Sequence, residues 1–208
     1  MICGIILAAG EGKRMVEVKL TLPLGDKKLI EWVLQAVKLA PLDKYFLVVR
    51  PEDKEIIKIG ESWGAEIVLN PEYRSGMSSS IRKALYQISS EVVEGIFILL
   101  GDQPLINPSI IYKMLKAFTP AKREIVVPFY RDKQGNPVLF DSYWREELMK
   151  LSGDVGGRVL IKAHPERIKK VEIPDESIFL DIDREEDYQK IKSIFSSIHK
   201  KGEGFKVK

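Results

Sequence analysis

Short apolar runs alternate with amphipathic stretches along this chain, and the alternation predicts its elements. Residues 2–8 form an apolar run that reads as a buried strand, with a glycine-bearing turn directly behind it. Ile30, Val33, Leu34 and Val37 recur at helical spacing, and residues 45–49 form the next strand. A short helix is expected over 52–60, ending at Gly60, and a strand over 65–69. Ile81, Ala84, Leu85 and Ile88 mark one face of a helix, with Ser78 or Ser79 as its expected N-cap. Residues 96–100 form another apolar strand. Asn107-Pro108 then opens a helix whose buried face carries Ile111, Met114, Leu115 and Phe118.

The second half is less regular. Strands are expected at 125–128 and 137–140 around a Gln134-Gly135-Asn136 turn, and helices at 143–151 and 157–163. Short strands follow at 168–173 and 178–182. Tyr188, Ile191, Phe195 and Ile198 give a final helix its apolar face. A βαβα rhythm of this kind predicts an α/β fold: an open, mainly parallel sheet covered by helices on both faces. Without a Pro/Ser-rich linker or a repeat, residues 1–199 read as one domain and 200–208 as a frayed charged tail.

Composition narrows the class. The chain has 208 residues, 45% hydrophobic and 30% charged, with a net charge of +3, so an ordinary globular protein is expected and no nucleic-acid footprint is demanded. Cys3 is the only cysteine, which fits a reducing cytoplasm, and with His164 and His199 it cannot build a zinc site of ordinary ligand type. The run at 5–9 is too short to span a bilayer and does not read as a signal peptide, so no membrane contact is expected.

Four segments could carry chemistry. Leu7-Ala8-Ala9-Gly10-Glu11-Gly12-Lys13-Arg14-Met15 follows the first strand. Its glycines allow close backbone approach, its N–H groups could cradle phosphates, and Lys13 and Arg14 could neutralise them. It matches neither the Walker A pattern nor G-x-G-x-x-G, and a plain strand-to-helix turn would also satisfy it. Gly101-Asp102-Gln103-Pro104 ends a strand at the sheet edge where ligands bind in open α/β folds, so Asp102 could hold Mg²⁺; an ordinary turn is the alternative. In Asp181-Ile182-Asp183, Asp183 and Glu186 fit a capping box for the last helix. Asp181 has no such explanation and is the expected second metal ligand, with Asp183 in reserve. In residues 70–80, Gly76 permits close approach. Helix capping requires only one of Ser78, Ser79 and Ser80, which leaves donors for a ligand.

Taken in order, these segments resemble the molybdenum cofactor cytidylyltransferases, within the MobA-like NTP transferases. The family pattern L-A-A-G-x-S-x-R-M reads here as residues 7–15, K-L as Lys19-Leu20, and L-I as Leu29-Ile30. N-P-x-x-x-x-G-M-S-S-S reads as residues 70–80, G-D-Q-P as 101–104, and G-x-P-V-L-F as 135–140. L-x-G-D-x-G-A-R reads as 151–158 and the closing D-x-D as 181–183. Gly12 stands where the family carries Ser, Lys28 where Pro is common, Gly157 in place of Ala, and Arg184-Glu185 in place of Thr-Pro.

The resemblance implies a Rossmann-like, three-layer αβα fold of the nucleotide-diphospho-sugar transferase type. It implies CMP transfer from CTP to the terminal phosphate of molybdopterin, with Mg²⁺, or Mn²⁺ in its place, as cofactor. A recipient molybdoenzyme is the implied partner. In this reading Lys13, Arg14 and Asp102 are catalytic, and Asp102 and Asp181 hold the metal. Leu7, Ala8, Ala9, Gly10, Glu11, Gly12, Lys19, Gly76, Ser78, Ser79, Ser80 and Gly101 meet the nucleotide. Gln103, Pro104, Asp154, Gly156, Gly157 and Arg158 face the acceptor. Ala9 favours the cytidylyl type, because the guanylyl relatives carry a second glycine there. A guanylyl- or sugar-phosphate nucleotidyltransferase and a non-catalytic molybdopterin carrier are the rival readings.

Overall fold

The computed structural model describes residues 1–10, 19–88 and 92–200. The alternation of side chains along its strands explains its layers. In β1 (Ile2–Leu7), Ile6 packs with one cluster and Cys3 and Ile5 with another. In β6 (Gly95–Leu100), Phe97 and Leu99 face the first cluster and Ile96 and Ile98 the second. Successive side chains of a strand point to opposite faces, so strands apolar throughout must be covered on both sides. The first face is covered by α1 (Leu29–Lys38), α2 (Lys54–Trp63) and α4 (Pro108–Ala117). The second is covered by α3 (Met77–Gln87), α5 (Arg145–Met149) and α6 (Arg158–Ala163). The three-layer expectation holds.

The remaining strands are β4 (Lys44–Val49), β5 (Glu66–Leu69), β7 (Ile125–Tyr130), β8 (Lys133–Gln134), β9 (Val138–Asp141) and β10 (Ile168–Glu172). Among the described residues the sheet runs β10-β7-β9-β6-β1-β4-β5, with β8 paired to β7. β1, β4, β5 and β6 are mutually parallel, whereas β9 runs antiparallel to both β6 and β7. The chain therefore builds outward from β1 through β4 and β5, then returns to β1's other side as β6. That reversal places a crevice at the carboxyl ends of β1 and β6, where open α/β sheets bind ligands.

A third apolar cluster lies outside the main layers. Leu24 of the β2 (Pro23–Leu24) and β3 (Lys27–Lys28) hairpin packs with Leu29, Trp32, Leu105 and Ile182, and with Tyr188, Ile191 and Phe195 of α7 (Glu185–Lys200). The Tyr188 hydroxyl donates to Pro23 O at 2.6 Å and Trp32 Nε1 to Leu24 O at 2.8 Å, so the hairpin is held by both α7 and α1.

Several boundaries differ from the sequence expectation. α2 does not stop at Gly60 but runs to Trp63 and ends at Gly64. Gly60 lies inside it because α2 presses onto the sheet: a Cβ there would come within 2.6 Å of Leu47 Cδ2 and 2.8 Å of Ile67 Cδ1. Residues 178–182 are not a strand. A 3₁₀ helix occupies Glu176–Phe179, and the Ile178 carbonyl accepts from Asn136 N at 3.0 Å instead of from a neighbouring strand. Neither Ser78 nor Ser79 is the N-cap of α3; Gly76 is, and all three serines are buried in the first turn. Asn107 caps α4 as expected, accepting from Ser109 N and Ile110 N. Of the expected tail at 200–208, Lys200 is instead the last residue of the helix Glu185–Lys200, and 201–208 lie outside the described residues.

Candidate active site

Parallel strands deliver their following loops to one edge. Ala8–Gly10 leave β1 there, Asn70 leaves β5, and Gly101–Gln103 leave β6. The loops after β1 and β6 are locked together: Gly101 N donates to Leu7 O at 2.9 Å, and a Cβ on Gly101 would sit 3.0 Å from Leu7 O and 3.3 Å from Ala8 Cβ. Glycine at 101 is what lets the Ala8 and Asp102 segments lie side by side. Ala8 and Ala9 are buried, whereas Gly10 is exposed with nothing within 4 Å of where its Cβ would be. Glu11, Gly12, Lys13 and Arg14, expected to meet the phosphates, lie outside the described residues.

Lys19 ties this crevice to the segment that leads into α7. It opens a 3₁₀ turn, Lys19–Thr21, and its ammonium donates to three acceptors: Asp102 Oδ2 at 2.6 Å, Ile182 O at 2.7 Å and Asp183 Oδ1 at 3.3 Å. Burial works to discharge this ammonium. The carboxylates of Asp102 and Asp183 outweigh that, and Lys19 is held above the ordinary lysine range. A further bond, Ile182 N to Asp102 O at 3.2 Å, fixes the 181–183 segment against the loop after β6. Asp183 thus turns its carboxylate toward Lys19. The capping-box expectation fails at its second member, because Asp187, not Glu186, accepts from Asp183 N and Arg184 N.

Two carboxylates therefore pair with one ammonium, and a third, that of Asp181, lies within electrostatic reach of all three groups. Asp102 Oδ1 is buried with no hydrogen-bond partner among the described residues. Asp181 is raised above the usual carboxylate range, by burial first, then by the negative charge of Asp102 and Asp183, with Lys19 pulling the other way. Among the described residues no group of three or more His, Cys, Asp or Glu side chains is arranged to hold a metal ion. Mg²⁺ in nucleotide sites needs less, however: one or two carboxylates, with waters and substrate phosphates completing the shell. An orphaned Asp102 oxygen and a charge-crowded Asp181 fit such an ion.

The raised Asp181 carries a pH signature. Because its folded pKa exceeds its unfolded one, its contribution is favourable below the unfolded value and is lost as pH rises through the folded value. At neutral pH in a chelator, Asp181→Asn should therefore raise the melting temperature, and this gain should disappear at acid pH. Added Mn²⁺ should stabilise the wild type more than the variant. Equal melting curves, with an equal metal response, would remove Asp181 from the carboxylate cluster.

Other expected site residues turn inward. Gln103 is 1% exposed, its Oε1 has no partner among the described residues, and Pro104 beside it is buried. The turn folds down because Gln103 N donates to Leu100 O and Ile106 N to Gln103 O. The donors expected to remain at Ser78 and Ser79 are in use: Ser78 Oγ donates to Gly153 O at 2.7 Å and Ser79 Oγ to Gly76 O at 2.8 Å. Asn70, fully buried, donates to Ser79 Oγ and Ser80 Oγ at 2.9 Å each. Asn70 opens the 70–80 motif but had no role read for it from the sequence; it welds the loop after β5 to α3. Gly156 and Gly157 are half-buried, with Gly157 lying directly against the Phe140 ring, whereas Asp154 and Arg158 are exposed.

Comparison with known proteins agrees with this fold. A family model described as the MobA-like NTP transferase domain matches residues 4–168. Purine catabolism protein PucB of Bacillus subtilis is 29% identical, covering 93% of this chain and 97% of that protein. A probable molybdenum cofactor guanylyltransferase of Pyrococcus furiosus is 27% identical, over 93% and 97%. Nicotine blue oxidoreductase of Paenarthrobacter nicotinovorans is 24% identical, over 88% and 92%. Among solved structures, an Rv0371c homologue from Mycobacterium sp. strain JC1 superposes with a TM-score of 0.83 at 27% identity, covering 95% of this chain and 98% of that one. The Rv0371c protein of Mycobacterium tuberculosis in complex with manganese gives 0.79 at 26%, over 92% and 98%. No helix among the described residues is long and apolar enough to cross a membrane.

Proposed function

The chain belongs to the MobA-like NTP transferase family, and from that premise we propose that it transfers CMP from CTP to the terminal phosphate of molybdopterin, releasing pyrophosphate. The observation that carries this reading is the carboxylate cluster at the β1/β6 crevice: Asp102 with one orphaned oxygen, Asp181 and Asp183 beside it, and Lys19 binding the two segments together. A divalent ion held at Asp102 and Asp181 would supply charge neutralisation at the nucleotide's phosphates; manganese in a solved relative supports the choice of Mg²⁺ or Mn²⁺.

An oxygen of the acceptor phosphate forms the new bond to the α-phosphorus. The bond from that phosphorus to the bridging oxygen of the β-phosphate breaks, and pyrophosphate leaves with the electron pair. No side chain becomes covalently attached, so the chain's contribution is positioning and charge. Gly10 presents backbone where the nucleotide phosphates would lie, and Lys13 and Arg14 would meet the departing pyrophosphate. Lys19, held charged, keeps Asp102 oriented and adds positive potential at the crevice. The loop ending at Arg158 serves the acceptor side.

The Ala9 of Leu-Ala-Ala-Gly supports cytosine. A second reading, GMP transfer from GTP, draws on the Pyrococcus relative named a guanylyltransferase. One reaction separates the two: purified protein, Mg²⁺, molybdopterin, and equal CTP and GTP, read by mass spectrometry. A cytosine dinucleotide with pyrophosphate is the expected product. A guanine dinucleotide would move the protein to the second reading, and the absence of either product from folded protein would overturn both.

A further inference from the structure

The first turn of a helix exposes N–H groups that have no partner within the helix, and such ends commonly receive anionic ligands. In α3 the chain itself occupies them. Met77 N donates to Asp154 Oδ1 at 3.2 Å, Ser78 N to Gly153 O at 3.3 Å, and Ser79 N to Gly76 O at 3.1 Å. Ser78 Oγ gives Gly153 O a second, shorter bond of 2.7 Å. One turn further on, Arg82 donates to Leu151 O. The acceptors at 151, 153 and 154 belong to one irregular loop that leads into α6, and they lie 69 to 77 residues away in sequence.

The backbone is shaped for the same contact. Gly76 has φ +93° and ψ 177°, a conformation nearly reserved for glycine, and a Cβ there would stand 2.5 Å from Gly153 C, Gly153 O and Asp154 N. A Cβ on Gly156 would stand 2.7 Å from Met77 Sδ. The 70–80 segment and the 151–157 loop are thus seated on one another at bare backbone. Asp154 caps α3 from another part of the chain.

We propose that Asp154 and Ser78 form a clasp that docks the 151–157 loop onto the N-terminus of α3 and thereby sets the position of Arg158. Asp154 is a positioning residue whose oxygen, not its charge, is what the clasp uses. The role assigned to Arg158 rests on the acceptor-side reading above; the clasp itself does not.

Hydrogen exchange on the full, ligand-free chain tests it. Ser78→Ala and Asp154→Ala should speed amide exchange several-fold in a peptide spanning 151–158, while a peptide from β6 keeps wild-type protection. Asp154→Asn retains a side-chain carbonyl oxygen and should keep the loop protected. In steady state with CTP and molybdopterin, Asp154→Ala should raise the acceptor KM several-fold with little change in the CTP KM, a split that general loosening of the fold would not produce. Wild-type protection in both alanine variants would overturn the clasp. So would an Asp154→Asn loop that exchanges as fast as Asp154→Ala, since charge would then be the operative property. A chain that shows the exchange pattern but turns over no molybdopterin would retain the clasp and lose the proposed function.

Discussion

Asp102→Asn should lower turnover by on the order of 10²- to 10³-fold, the range seen when one electrostatic stabiliser is removed from a preorganised site. Asparagine keeps the shape and one carbonyl oxygen, so the loop after β6 should stay in place. Gly101 N still reaches Leu7 O, and Ile182 N still reaches the main-chain oxygen of residue 102. The variant loses the negative charge that faces Lys19 at 2.6 Å and the buried Oδ1 available to a cation. Steady-state assays at saturating nucleotide, with circular dichroism as the control for folding, check this. Wild-type turnover in the variant would take the metal and the chemistry away from Asp102.

Lys19→Met should lower both rate and stability. Its ammonium is largely enclosed, with 14% of the side chain exposed against 20% for Asp102. Removing one partner of a fully buried pair costs about 3–5 kcal/mol, and at this partial exposure we expect about 2 kcal/mol. Methionine fills the volume of the aliphatic stem, so the loss reports the three bonds and not a cavity. Turnover should fall roughly 10²-fold, because Asp102 loses its orienting partner and the crevice loses a charge. Urea unfolding and steady-state rates measure the two effects. Unchanged stability would refute the ion pair, and unchanged kinetics would remove Lys19 from the site.

What could be read from the sequence follows the range of the forces involved. The strands and helices around β1, β4, β5 and β6 were legible because burial on two faces imposes long apolar runs, and Asn107-Pro108 marked the start of α4 because its cap is local. Asp102 was legible as the polar residue ending an apolar strand. Lys19 was visible as one letter of a motif, but its acceptors lie 83 to 164 residues away and left no local trace. The partners of the serines were hidden in the same way. The run of hydroxyls gave no sign that Ser78 donates to a carbonyl at 153 or that Ser79 and Ser80 accept from Asn70. The strand expected at 178–182 failed because Ile178 and Ile182 are both buried but belong to different clusters, joined by a 3₁₀ turn.

The pairing of Lys19 with Ile182 and Asp183, and of Pro23 with Tyr188, spans more than 160 residues in each case. During synthesis the ribosome releases β1, the hairpin and β6 well before residue 181. A nascent chain can therefore assemble the parallel half of the sheet while Lys19 still lacks two of its three acceptors. The crevice acquires its second and third carboxylates only when the 181–183 segment emerges and α7 docks, so the site is finished long after the strands that frame it have left the ribosome.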